Sequence, residues 1–146
     1  MVEISRNEAC SHCGRFANRG VSVDAVVING GKILLIKRGA EPFKGYWGTP
    51  GGFVEWDEST EDAAKRELQE ETGLVAADVK LVGVYSSPDR HPRQVINAAY
   101  LVRVEDVSLV MASDDADDAQ WFALDDLPKE LAFDHRQIIQ DARGLA

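Results

Sequence analysis

Cations, thiols and long apolar runs are scarce in this chain. Its 146 residues include 16 basic against 25 acidic side chains, three histidines and only two cysteines. No apolar run approaches the ~20 residues that a membrane-spanning helix needs, so no membrane partner is expected. The net charge of −9 disfavours broad nucleic-acid binding, which depends on lysine and arginine displacing phosphate counterions. It would also repel an anionic substrate unless metal ions and a few basic side chains neutralise that substrate locally. The first twenty residues are polar and lack a signal-peptide core, so a cytoplasmic location is expected. Internal repeats and low-complexity linkers are missing too. The length suits one domain with its own core, residues 21–146, preceded by an extension, residues 1–20.

What the chain does have is concentrated between Gly52 and Leu74, GFVEWDESTEDAAKRELQEETGL. Ser59 is placed to cap a helix over Thr60–Thr72, with Asp62 as an imperfect capping-box partner, and Gly73 suits a left-handed C-cap. On that helix Glu67, Glu70 and Glu71 fall within an arc of about 100°. Ala63, Ala64 and Leu68 lie on the same side, and Lys65, Gln69, Glu61 and Asp62 lie opposite. Like charges three and four residues apart repel, and acids turned toward the protein need partners. A divalent cation held by carboxylate oxygens is the natural compensator. A solvated charged face is the plainer reading, and the apolar residues beside the acids argue against it. Gly51 and Gly52 let the chain turn tightly and let a backbone carbonyl approach an ion. Arg66 can pair with Glu70 one turn on and orient Glu58. For Arg66 and Glu58 a purely structural role is the alternative.

These residues resemble the Nudix box, G-x5-E-x7-R-E-U-x-E-E-x-G-U with U aliphatic. Gly52, Glu58, Arg66, Glu67, Leu68, Glu70, Glu71, Gly73 and Leu74 match every fixed position. The resemblance implies an α/β fold, an α/β/α sandwich with a mixed sheet. It also implies hydrolysis of a nucleoside diphosphate linked to another group, with Mg2+ or Mn2+. By the same resemblance Glu67, Glu70 and Glu71 would hold the ions, assisted by the Gly51 carbonyl. Glu67 or Glu70 would be the general base, unless an acid of a later loop, Asp114, Asp115, Asp117 or Asp118, takes that part. Without the resemblance, that run reads as a solvated loop.

Downstream, Tyr85-Ser86-Ser87-Pro88-Asp89-Arg90-His91-Pro92-Arg93 is similar to a stretch of small ADP-ribose pyrophosphatases, with Pro88 fifteen residues after Gly73. Leu131-Ala132-Phe133-Asp134-His135 resembles the same group's tail. The Ser-Gln-Pro-Trp motif of NADH pyrophosphatases is missing. The resemblance therefore implies ADP-ribose as substrate, AMP and ribose 5-phosphate as products, and a homodimer. The alternatives are a Nudix enzyme acting on NADH, a nucleotide sugar or a damaged nucleoside triphosphate, or a non-catalytic ADP-ribose sensor. Arg90 and Arg93 are candidate phosphate or ribose contacts, against a role as surface charges. Phe43, Tyr46 and Trp47 are candidate base-stacking residues, against packing onto the core.

Cys10-Ser11-His12-Cys13-Gly14 resembles half of the zinc ribbon that precedes the catalytic domain in NADH pyrophosphatases. A closed zinc site takes four ligands, and His12, His91 and His135 are poorly placed to complete this one. Zn2+ within one chain is therefore not expected. A site shared between subunits, or a knuckle with free thiols, is the expectation.

The remaining pattern alternates strands and helices. Val21–Ile28 and Lys32–Lys37 read as a hairpin around Asn29-Gly30-Gly31, with a loop over residues 41–50. Strands are expected over Val79–Ser86, Gln94–Val104 and Ala119–Phe122. A short helix is expected over Leu124–Leu127 and a last one from Asp134 to Ala142.

Overall fold

The computed structural model describes residues 8–109 and 118–146. Its strands are β1 (Val21–Val26), β2 (Ile28–Asn29), β3 (Lys32–Lys37), β4 (Trp47–Gly48), β5 (Gly51–Phe53), β6 (Ala76–Tyr85), β7 (Ile96–Val104) and β8 (Ala119–Ala123). Its helices are α1 (Thr60–Thr72) and α2 (His135–Arg143). One sheet has the order β5-β1-β7-β6 and is mixed, with β1 and β7 parallel and the other pairs antiparallel. The second is antiparallel and is built on β3, which pairs with β2, β4 and β8.

Alternation along β1 sorts the interior into two layers. Val23, Ala25 and Val27 join Ala63, Ala64 and Leu68 of α1 in one apolar cluster. Val26 joins Ile138, Ile139 and Ala142 of α2 in the other. The mixed sheet therefore has a helix on each side, the α/β/α arrangement expected from the sequence. Leu68 is fully buried, and truncating such a side chain to alanine costs about 2–5 kcal/mol.

The helix carrying the acids begins and ends where its cap residues dictate. Ser59 accepts a hydrogen bond from the Asp62 N–H, and Gly73, at φ 78°, donates its N–H to the Gln69 carbonyl. Elsewhere the structure corrects the sequence reading. The stretch from Val21 splits at Val27, so that β1 lies in one sheet and β2 in the other. Only β2 forms the hairpin with β3. Gln94 has a positive φ of 55°, a backbone state incompatible with a strand, and β7 begins at Ile96. Leu124–Leu127 is a turn rather than a helix. Leu127 precedes Pro128, and the residue before proline is driven out of the helical region.

Candidate active site

The site begins with two glycines on β5. The register sets Gly51 opposite Asp24 and Gly52 opposite Val23. A Cβ on Gly51 would collide with the Val23 carbonyl and the Asp24 carboxylate, and one on Gly52 would collide with the Glu67 carboxylate. Glycine is required here for close approach. The approach lets the Gly51 N–H donate to Glu71 Oε2 at 3.1 Å.

The three helix acids do not share one environment. The Glu67 side chain is 14% exposed and the Glu70 side chain 59%, so Glu70 stands on the rim while Glu67 tucks beneath β5. Glu71 is largely buried between α1 and the glycine strand, and its carboxyl is pushed up to about 8. Burial is the main cause, and the negative charges of Glu67 and Asp24 add to it. Burial also raises Glu67, against the pull of Arg66.

Arg66 is the clasp of this cluster. Its Nε and Nη2 donate to both oxygens of Glu58, at 2.9 and 2.8 Å, and Nη2 also donates to the Phe53 carbonyl at 3.1 Å. Its Nη1 donates to Glu67 at 2.9 Å and to Glu70 at 3.2 Å. The hydrogen bonds from Arg66 hold the Glu58 carboxyl down at about 2. Glu58 in turn accepts the Glu55 N–H, which ties the loop before α1 to the helix. Among the described residues no three His, Cys, Asp or Glu side chains are gathered as a ready chelate. The donor set nevertheless fits a hard divalent cation. It consists of carboxyl oxygens beside a close-packed glycine strand, and one of these groups, Glu71, is buried with little to compensate its ionised form.

Glu70 and Glu71 open onto a cavity of about 470 Å³ that runs from β5 across β1 to the loop after β3. Its far wall holds a buried network absent from the predicted site. His135 Nδ1 accepts the Thr49 N–H, while Nε2 lies 3.3 Å from Asp24 Oδ2. Asn97 Nδ2 donates to the same Asp24 oxygen at 2.6 Å, and Ser22 donates to Asn97. Burial alone would raise the Asp24 carboxyl, but the His135 imidazole and the donated hydrogen bonds hold it below the ordinary range. Arg38 also lines the cavity, with its guanidinium 4.8 Å from the centre of the Phe133 ring.

The structure brings some expected contact residues to the cavity and leaves others away from it. Arg93 is exposed at the cavity wall. Arg90 also borders it, but its side chain is 4% exposed and already engaged, donating to both oxygens of Asp134 and to the Val95 carbonyl. Phe43, Tyr46 and Trp47 are not among the residues lining the cavity. Trp47 packs edge-on against Phe122 in the α2 layer, and Phe43 packs against Tyr46 and Phe133. The phenylalanines that do line the wall are Phe53 and Phe133, and Phe133 is stacked on His91 at 5.0 Å. Of the candidate loop acids, Asp118 borders the cavity. Asp114, Asp115 and Asp117 lie outside the described residues.

Comparison with known proteins places this architecture. A family model for the NUDIX domain matches residues 18–142. An ADP-ribose pyrophosphatase of Methanocaldococcus jannaschii is 50% identical over 127 residues, which are 86% of this chain and 74% of that protein. An NAD-capped RNA hydrolase of Pseudomonas aeruginosa is 34% identical over 82% of this chain, and the match spans only 42% of that relative's length. Among solved structures, the NUDIX domain of Shewanella oneidensis NrtR in complex with ADP ribose is similar with a TM-score of 0.70. It is 31% identical, over 89% of this chain and 90% of that one.

Proposed function

The chain belongs to the Nudix family, and from that premise we propose that it hydrolyses the diphosphate bridge of ADP-ribose to AMP and ribose 5-phosphate, with Mg2+ or Mn2+ bound. The observation that carries the proposal is the pair of burial-raised acids, Glu67 and Glu71, pressed against Gly51 and Gly52 at the edge of the cavity. The name of the Methanocaldococcus relative and the ADP ribose complex of the NrtR domain support the choice of substrate.

Glu67, Glu70, Glu71 and the Gly51 carbonyl would hold the ion. The chemistry it would supply is neutralisation of phosphate charge and a more acidic water. The chain's own residues provide the rest. Arg66 and Glu58 act as positioning residues, fixing the acids through paired hydrogen bonds before substrate arrives. Glu70, on the cavity rim, is placed to accept the proton of the attacking water, with Asp118 the other carboxylate at hand. Arg93 and Arg38 offer positive charge to the phosphates. Arg90 acts through Asp134, holding the turn that presents Phe133 and His135 to the cavity.

The reading extends to organisation. Residues 21–146 form the catalytic domain and 1–20 an extension. The protein works in the cytoplasm as a homodimer. Incubation with Mg2+ and a panel of ADP-ribose, NADH, a nucleotide sugar and an oxidised nucleoside triphosphate, followed by chromatography, tests the substrate. AMP and ribose 5-phosphate from ADP-ribose at the highest kcat/KM is the expected result. A preference for another member of the panel overturns the ADP-ribose assignment. Tight ADP-ribose binding without turnover makes the chain a sensor instead.

A further inference from the structure

The segment ahead of β1 has a geometry that hydrolysis at the acidic helix does not use. Residues 10–14 close a tight turn in which the Gly14 N–H donates to the Cys10 carbonyl at 2.7 Å. The Cys10 N–H donates to the Arg15 carbonyl at 2.6 Å, and Ala9 and Phe16 pair across the base of the turn as an antiparallel bridge. Gly14 takes φ 74° to complete it. The two cysteines stand three residues apart within this one turn. Both cysteines are free, and Cys13 is exposed.

Two cysteines closed into one tight turn offer one half of a tetrahedral thiolate site. The turn's amide groups favour the thiolate and lower the Cys10 pKa, and thiolate is the form that binds a soft metal. Among the described residues no other side chains are gathered to supply the other half. The chain has no third cysteine. His91 and His135 are buried in the cavity wall, where His91 Nδ1 accepts the Arg93 N–H and His135 bridges Thr49 and Asp24. His12 sits in the turn itself, between the two sulfurs in sequence. A second copy of the turn would supply the two missing sulfurs in the same geometry. The surface around the turn suits that occupant. Phe16 is 51% exposed and Trp56 81% exposed. Arg15 lies over the Trp56 ring at 5.5 Å, where its charge offsets part of the net negative charge of a four-thiolate ion.

We propose that the Cys10–Cys13 turn is half of a tetrathiolate zinc site, completed by the same turn of a second copy, so that one ion joins two chains. The binding is an acid–base exchange without redox change. Four thiols release their protons and four sulfur lone pairs bond to one divalent ion. The site is separate from the acidic helix and does not depend on the substrate assignment.

The test uses the full chain, purified under reducing conditions without added metal. Elemental analysis is expected to give about 0.5 zinc per chain, as four thiolates per ion require, and light scattering is expected to give a dimer. Cobalt titrated into metal-stripped protein is expected to develop the near-ultraviolet thiolate-to-metal band and the visible spectrum of a tetrahedral site, saturating at one ion per two chains. Cys10→Ser and Cys13→Ser abolish the band and the bound zinc while leaving the far-ultraviolet circular dichroism unchanged. Glu71→Gln leaves the band intact, because the helix acids are oxygen donors. One ion per chain on a monomer overturns the proposal. So does reduced protein with no zinc and no cobalt band, or Cys10–Cys13 isolated as a disulfide from cells lysed in the presence of a thiol trap.

Discussion

Two buried carboxylates face the same cavity and are treated in opposite ways. Asp24, on β1, is met from within the fold by His135, Asn97 and the network behind them, and its carboxyl is held down. Glu71, across the glycine strand on α1, is met among the described residues by one backbone N–H and by distant Arg38, and its carboxyl is pushed up to about 8. Burial costs both charges dearly. The fold neutralises one of them, and the proposed function has an ion and its substrate neutralise the other. The contrast separates an acid that the fold compensates from one that the fold leaves to be compensated.

The largest effect expected from breaking this contrast is on stability, at Asp24. Asp24→Ala leaves His135 and Asn97 without their shared acceptor. It should cost about 3–5 kcal/mol, the usual penalty for breaking a buried pair, as measured by urea unfolding. Next in size is activity at the acidic helix. Glu70→Gln and Glu71→Gln should each lower kcat by about two orders of magnitude, the scale of losing one charge-stabilising group at a transition state. Near-wild-type turnover of both at saturating Mg2+ would remove the roles assigned to them. In metal-free protein Glu71→Gln should be neutral or stabilising, the reverse of the change at Asp24.

The pH dependence follows from the same two shifts. The Glu71 carboxyl is raised from an ordinary 4.5 to about 8. Its contribution to stability is full below the ordinary value and is lost as pH rises through 8. Asp24 is lowered from 3.8, so its contribution is present above that value and is lost as pH falls below it. Thermal melts in EDTA should therefore show an alkaline loss that Glu71→Gln removes. Mg2+ should restore stability more at pH 8 than at pH 5. If the melting temperature in EDTA is flat between pH 5 and 9, Glu71 is compensated in a way that contradicts the contrast. The smallest effect sharpens only the local frame. Ser59→Ala removes the acceptor of the Asp62 N–H at the start of α1 and should cost about 1 kcal/mol.

The acidic half of this comparison was legible in the sequence because it is local. Spacing along one helix put Glu67, Glu70 and Glu71 near one another, and cap residues fixed the helix from Ser59 to Gly73. Spacing alone did not separate Glu70 on the rim from Glu67 and Glu71 beneath the strand, a difference set by how β5 crosses α1. The other half is assembled by long-range pairing. Asp24, Asn97 and His135 are brought together by the parallel β1–β7 register and the docking of α2. A lone acid within the apolar stretch Val21-Ser22-Val23-Asp24-Ala25-Val26 was the one sign available, since an isolated charge in a buried strand demands a partner. Trp47 and Phe43 were drawn toward the site by their nearness to Gly51 in sequence. In the fold, Trp47 turns into the α2 layer and Phe43 onto Phe133, because apolar rings follow the deepest burial available. The fold class followed from alternation and the box. The division of the first strand at Val27 did not, because nothing in a β-branched run tells which sheet its end will join.

Strand β1 faces two ways, with Val23 under α1 and Asp24 toward the cavity. Because side chains along a strand repeat every two residues, a slip of one position against β7 would push the carboxylate into the apolar layer and turn valine toward the pocket. The packing of the interior and the chemistry of the pocket are thus one choice of alignment. A chain that mispairs here forfeits its core together with its cavity wall. Quality control that senses only exposed apolar surface would then also remove molecules that cannot work.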